Sequence, residues 1–302
     1  MTIVRDRSAL LKDGLARIQG EVDACFDALL PMPDDTRRRL VEAMRYAAIG
    51  GGKRVRPLLL SATARLFGAD RQAAVRAGCA VESIHVYSLI HDDLPCMDDD
   101  ALRHGKPTLH RKFDEATAVL AGDSLHALAF EILSMPEISG APDVRADLVA
   151  TLAGASGMHG MAGGQMMDIV VGQSQYDLPA ITRLQQLKTG ALLAAAVEMG
   201  AILGRAHEDS RAPLRFYSRD IGLAFQIADD LLDHQGDEAK AGKALRKDDA
   251  QGKQTFVSLM GADAARAQAR ALIDQAVGHL DQFGAEADML RELARFIVER
   301  DR

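Results

Sequence analysis

Apolar residues recur at intervals of three and four along almost the whole chain, and clusters of Gly, Pro or Asp break the rhythm roughly every 15–25 residues. The spacing predicts α-helices over 8–30, 35–49, 57–67, 71–92, 114–133, 143–170, 180–203, 211–234, 255–259, 263–283 and 286–300. Ser8, Asp34, Asp70 and Asp114 suit N-caps, and Pro57 suits the first turn of its helix. No segment alternates apolar and polar positions long enough to predict a strand, so the expected fold class is all-α. Ala191, Ala194, Ala195 and Ala196 crowd one helix, and Gly160, Gly163 and Gly164 punctuate another. Small side chains let helix axes approach closely, which points to a bundle with central helices ringed by others. No repeat, low-complexity tract or linker divides the chain, so residues 1–302 are expected to form a single domain, with the polar stretch 236–254 as a lid or substrate loop.

Composition narrows the classes. With 302 residues, 48% of them apolar, the chain is long enough for a large core; no Trp and 4% aromatics argue against an all-β fold. Its 36 basic and 43 acidic residues, net −7, lack the basic footprint of a nucleic-acid binder. The longest apolar run, 191–203, is 13 residues and carries Glu198, so no membrane span is expected. The opening MTIVRDRSALLKDG has no apolar h-region, which argues against a secretory signal. Cys25, Cys79 and Cys96 are too few and scattered for a disulfide framework or zinc site, and a reducing cytoplasm is the expected compartment.

The strongest chemical signal is a pair of acidic clusters, DDLPCMDDD over 92–100 and DDLLD over 229–233, each following an apolar helix. Asp229 and Asp233 are four apart, about 40° around a helix and ~6 Å along it, so they share a face. Asp92 and Asp98 would lie about 120° apart on a straight helix, so a kink or bulge at Pro95 must bring Asp98 round. Crowded like charges repel unless a cation neutralises them, and oxygen ligands without His or Cys favour Mg²⁺ over zinc. Mg²⁺ held by a few carboxylates leaves positions for substrate phosphates, and matching cations are present. GGKRVRP over 51–57 sets Lys53, Arg54 and Arg56 on a glycine-rich turn entering a helix; Arg103, His104 and Lys106 follow the first acidic cluster; Lys188, Lys243 and Lys253 lie in or near later loops.

GGKRVRP, HDDLPCMDDDALRHGKPT, GMAGGQMMDIV, LKTG, FQIADDLLD and GDEAKAGK…GKQTF stand in the order found in bacterial short-chain trans-prenyl diphosphate synthases, which the chain resembles from about 45 to 300. The resemblance implies a helical bundle with a deep central cavity between facing aspartate motifs, usually homodimeric. It implies a condensation of isopentenyl diphosphate with dimethylallyl or geranyl diphosphate. Three Mg²⁺ ions, bound with the allylic diphosphate, and basic side chains would draw off that diphosphate. On that resemblance Asp92, Asp98 and Asp229 hold metal, with Asp93 and Asp233 supporting. Lys53, Arg56 and His85 match the isopentenyl diphosphate site. Arg103, Lys188 and Lys243 match the allylic diphosphate contacts, with Lys253 nearby, while Thr189 and Gln226 turn oxygens towards the developing cation.

Two departures stand out. The family usually has Arg-Arg after the first aspartate motif, and here the pair is Arg103-His104. A His is a poorer donor fork and largely neutral near neutral pH, so a weaker or pH-sensitive grip on isopentenyl diphosphate is expected. Arg246 and Val257 also stand where Gly and Pro are common. For product length, Tyr87 and Ser88 lie five and four residues before Asp92, roughly 7.5 and 6 Å deeper along a helix. A Tyr there resembles the C15 pattern, a small residue or Met the C20 pattern. Alternatives are a geranylgeranyl diphosphate synthase, a class I terpene cyclase, which would use more aromatics and no second diphosphate site, and an inactive subunit, which would have lost aspartates. Glu82-Ser83-Ile84-His85 also spells the Glu-x-x-His of di-iron bundles, which need two such pairs where one is present.

Overall fold

The computed structural model describes residues 7–171, 176–235 and 254–299. The elements are α1 (Arg7–Leu29), α2 (Arg38–Ala48), α3 (Val55–Leu66), α4 (Arg71–Asp92), a hairpin of β1 (Leu102–Arg103) and β2 (Lys106–Pro107), α5 (Leu109–Lys112), α6 (Glu115–Ser134), α7 (Pro142–Ser156), α8 (Met161–Val171) and α9 (Leu178–Gln185). A π-turn (Gln186–Gly190) leads into α10 (Ala191–Leu203); then come α11 (Glu208–Gln235), α12 (Phe256–Met260), α13 (Ala262–Gly278), a 3₁₀ stretch (Asp281–Ala287) and α14 (Asp288–Glu299). The all-α expectation holds.

Burial shows which helices are central. Residues Ala77 to Ile84 of α4 are buried in unbroken succession, which a helix lying on one face of a core cannot achieve. α4 packs on α1, α3 and α6, while α10 packs on α3, α7 and α11, and α11 in turn on α13. Small residues set the spacing as expected: a Cβ on Gly200 of α10 would lie 2.5 Å from the Leu60 carbonyl oxygen of α3. Two stretches, Glu115–Ser134 and Leu178–Leu203, are long and apolar enough to cross a membrane by length and composition alone. Of the apolar windows within them, 50% and 61% are buried inside the fold, as core helices are.

Several boundaries differ from the sequence reading. The stretch 143–170 divides into α7 and α8 around Gly157, whose N–H caps the Ala153 carbonyl. The stretch 263–283 stops at Gly278. Asp70 and Asp114 are N-caps, accepting from the Ala73 N–H at 2.8 Å and the Thr117 N–H at 2.7 Å. Ser8 falls inside α1, and α2 starts beyond Asp34, with Arg37 at its N-cap. The hairpin was missed because His104-Gly105 is an unusual turn pair. Both residues have positive φ, 50° and 75°, as a two-residue hairpin loop of type I′ requires, and His tolerates that region better than most side chains.

A buried ion cluster ties α1, the glycine-rich turn and α4 together. Arg54, with φ 53°, turns inward and donates at 2.8 Å to both Glu82 and Asp23, and also to the Ala48 carbonyl. Arg54 is therefore structural rather than part of an anion-binding turn, and the Glu82 carboxylate is engaged, which ends the di-iron reading. Removing one partner of a buried pair strands the other charge. Glu82→Ala is expected to lower unfolding stability by about 3 kcal/mol in urea titration, and the triple variant Asp23→Asn/Arg54→Met/Glu82→Leu, which removes all three charges, to recover most of that loss.

Candidate active site

The first acidic cluster sits where α4 ends. Asp92 is the last helical residue, and beyond it the chain coils back in tight turns around Pro95. The Asp98 N–H donates to the Asp92 carbonyl at 2.9 Å, so Asp98 returns beside Asp92 by a turn, not a helix kink. Burial pushes the Asp92 carboxyl up to about 6; Asp98 and Asp93 push the same way, while Lys188 and Arg103 oppose them. The Asp93 side chain is also buried and accepts from the Arg103 Nε at 2.8 Å and from its terminal nitrogen at 2.6 Å. That contact makes Asp93 the residue that orients Arg103.

Lys188 reaches this cluster from the π-turn. The sequence predicts an uninterrupted helix over 180–203 because a π-turn preserves the apolar rhythm; π-turns frequently mark functional sites. A Cβ on Gly164 of α8 would lie 2.2 Å from the Lys188 backbone nitrogen, so only Gly permits that approach. The Lys188 Nζ donates to Asp168 at 2.7 Å. Sequence reasoning assigned Asp168 no role; the signal was there, since it is the only charged residue of α8. Thr189 is half-buried on the same turn. α11 packs against the turn, where a Cβ on Gly222 would lie 3.1 Å from the Gly190 Cα, and Gln226, one helical turn further on, is buried.

A second cluster gathers around His85. Desolvation holds its imidazole well below the ordinary value, and the charges of Arg56, Arg103, His104 and Arg54 push the same way. His85, Arg56, Arg103 and His104 are thus brought together in a positive field. Lys53 lies on the glycine-rich turn that enters α3, three residues before Arg56, and its Nζ lies 5.2 Å over the Phe296 ring of α14. His110, also missed, is 8% exposed, its ring nitrogens lack hydrogen-bond partners, and it lies near enough to Asp93 to bear on that carboxylate. Buried polar groups usually find a partner, so the ring has unmet capacity next to the site.

The second acidic cluster closes α11. Asp230 is buried and accepts from the Phe256 N–H of α12 at 2.8 Å, a structural role. Asp229 and Asp233 are half-buried, and Asp233 lines a cleft of 290 Å³ with His234 and Thr255. Lys243, Arg246 and Lys253 lie outside the described residues, while Val257 is buried in α12. Beneath Asp92, the Tyr87 ring meets His91 at 5.7 Å and His126 of α6 at 5.0 Å, and His126 meets Phe130 at 5.3 Å. Ser88 donates its hydroxyl to the His85 carbonyl at 2.8 Å.

Residues 37–294 match the polyprenyl synthetase family. The chain belongs to that family. Among its relatives, the farnesyl diphosphate synthase of Escherichia coli (strain K12) is 46% identical over 270 residues, covering 87% of this chain and 90% of that protein. A crystal structure of a FPP/GFPP synthase from Zymomonas mobilis is 57% identical, with a TM-score of 0.89 over 96% of this chain and 99% of that one. The geranyltransferase of Helicobacter pylori, complexed with magnesium and isoprenyl diphosphate, is 30% identical, with a TM-score of 0.81 over 94% of this chain and 96% of that one. The all-α bundle is thus the polyprenyl synthetase fold.

Whether the residues fit a divalent cation follows from their own chemistry. Among the described residues no three His, Cys, Asp or Glu side chains form a ready-made metal cluster. The turn that brings Asp98 back beside Asp92, with an N–H to carbonyl distance of 2.9 Å, sets two carboxylates together without His or Cys, which fits Mg²⁺ taken through one or two carboxylates, with phosphate oxygens and water completing the shell.

Proposed function

We propose that the chain is a short-chain prenyltransferase that joins isopentenyl diphosphate head-to-tail to an allylic diphosphate, dimethylallyl or geranyl, giving mainly farnesyl diphosphate. One observation supports this reading above the others: the acidic turn that returns Asp98 to Asp92 adjoins the cationic cluster around His85 through Arg103, which donates to Asp93 at 2.8 Å and also acts on His85. Two diphosphates need two such subsites, one completed by metal and one by cations alone.

Asp92 at the end of α4, Asp98 on the turn beyond it and Asp229 from α11 would hold Mg²⁺, with Asp233 supporting. When bound, Mg²⁺ supplies Lewis-acid stabilisation of the charge growing on the departing diphosphate. Arg103, fixed by Asp93, and Lys188, fixed by Asp168, grip that diphosphate as the allylic carbon–oxygen bond breaks. Lys243 and Lys253 join them in this proposal on resemblance alone. Lys53, Arg56, His85 and His104 hold isopentenyl diphosphate so that its double bond faces the allylic carbon. Thr189 and Gln226 present oxygens to the cation, and the proton lost after bond formation passes to the released diphosphate. Catalysis is then positioning and electrostatics, without a side-chain nucleophile. We further propose three Mg²⁺ ions per site, a cytoplasmic location and a homodimer. For the dimer the support is α6, an apolar helix on which Val119 and Leu120 are 40% and 56% exposed.

Protein given Mg²⁺, isopentenyl diphosphate and geranyl diphosphate is expected to form a C15 diphosphate, and none with EDTA. Hydrocarbon or cyclic alcohol from geranyl diphosphate alone would replace this reading with a terpene cyclase. His104→Arg is expected to lower KM for isopentenyl diphosphate about tenfold at pH 8 and less at pH 6, where imidazole is itself charged. A KM unchanged across that range would remove His104 from the site.

A further inference from the structure

A cleft of about 280 Å³ opens between α1, α3, the start of α4 and α14. Its nearest α4 residue, Val75, is 17 residues before Asp92, about 25 Å along the helix, so it is separate from the active site. The floor is apolar, formed by Ile18, Leu58, Ala62, Val75 and Met289. Gly14 keeps it open on the α1 side, where a Cβ would meet the Met289 terminal methyl at 2.6 Å. Around this floor stand Arg17, Arg65 and Arg71 against two carboxylates, Glu21, which pairs with Arg71, and Glu286, which lies near Arg65. The Arg65 side chain is 60% exposed; its terminal nitrogen donates to the Glu286 carbonyl at 3.2 Å and lies 3.9 Å from that residue's carboxylate. The wall holds one further polar group, the Ser61 hydroxyl, which is shielded from solvent and has no hydrogen-bond partner.

An apolar slot with three guanidinium groups against two carboxylates, on a protein of net charge −7, selects for charge and shape together. We propose that the cleft is a second ligand site that takes an anionic amphiphile, an apolar chain of about eight to ten carbons ended by phosphate or carboxylate. The chain length follows from the volume, which equals about nine water-sized units at ~30 Å³ each. Two sources supply that chemistry: a fatty acid, or a C10 prenyl diphosphate, which rests on the proposed function. A prenyl diphosphate here would let the enzyme sense its own intermediate.

The test exploits the absence of Trp from the sequence. In Ala69→Trp, on the wall of this cleft, the single Trp reports on the cleft and not on the active site. With EDTA present, geranyl diphosphate and decanoate are titrated separately, with geraniol and decanol as uncharged controls. The expected result is saturable fluorescence change with one or both anions, affinity at least tenfold weaker for the alcohols, and at least tenfold loss on adding Arg17→Glu and Arg65→Glu. Which anion saturates names the source. Calorimetry on the Trp-free protein and on Ala62→Phe, which fills the slot, guards against an artefact of the reporter. No saturation with either anion, or equal binding of the alcohols, overturns the proposal. Turnover of the same samples reports separately on the active site: turnover lost with the titration intact would contradict the proposed function and leave this site standing.

Discussion

Asp92→Asn is expected to lower kcat on the order of 10³-fold while leaving the fold intact, the size associated with removing one group that stabilises transition-state charge. The same variant should be more stable than the parent when both are free of metal. The Asp92 carboxyl is pushed up to about 6 in the folded protein, against an unfolded value near 3.9. The folded state therefore holds the proton more tightly, and stability falls as pH rises from about 4 to about 6, staying low above that. Asn carries no such penalty. Its advantage in metal-free buffer should be about 1–3 kcal/mol above pH 6 and should vanish below pH 4. Adding Mg²⁺ with an allylic diphosphate should reverse the order, because the parent gains binding energy that the variant lacks. A variant that is less stable at every pH would mean that Asp92 serves the fold instead.

Tyr87→Ala is expected to move the main product from C15 to C20 or longer. The ring lies about 7.5 Å below Asp92 along α4, and His126 stands nearly perpendicular to it, at 87° and 5.0 Å. Phe130 braces His126 from one turn further along α6. Removing the Tyr87 ring takes away the group that His126 of α6 packs against. Ser88 is a weaker candidate for the floor, since its hydroxyl is committed to its own helix. Mass spectrometry of the dephosphorylated products gives the ratio directly. Unchanged C15 output from a folded Tyr87→Ala would show that the floor lies elsewhere.

Much of this was legible because the residues concerned make local demands. α4 was readable end to end, from the Asp70 cap to the acids before Pro95 that stop it. Both aspartate clusters announced themselves because carboxylates that crowd apolar helix ends need a reason to be there. What could not be read depended on partners distant in sequence. Arg54 looks like one of three anion-binding cations until Glu82 and Asp23 are seen to claim it. The π-turn that lifts Lys188 towards Asp92 keeps the apolar rhythm of an α-helix, so periodicity cannot reveal it. Asp168 gains its meaning only when Gly164 lets α8 approach that turn. The hairpin carrying Arg103 rests on a His-Gly pair that turn statistics place well behind Asn-Gly.

The central claim is that the ends of α4 and α11 face one another across a shared metal-diphosphate site. Anomalous diffraction from crystals grown with Mn²⁺ and a non-ionising thio-analogue of geranyl diphosphate tests it most directly. The account predicts manganese peaks contacted by Asp92 and Asp98 on one side and Asp229 on the other, with Arg103 and Lys188 on the analogue's phosphates. Peaks confined to the surface, or an analogue bound away from Asp92, would contradict it.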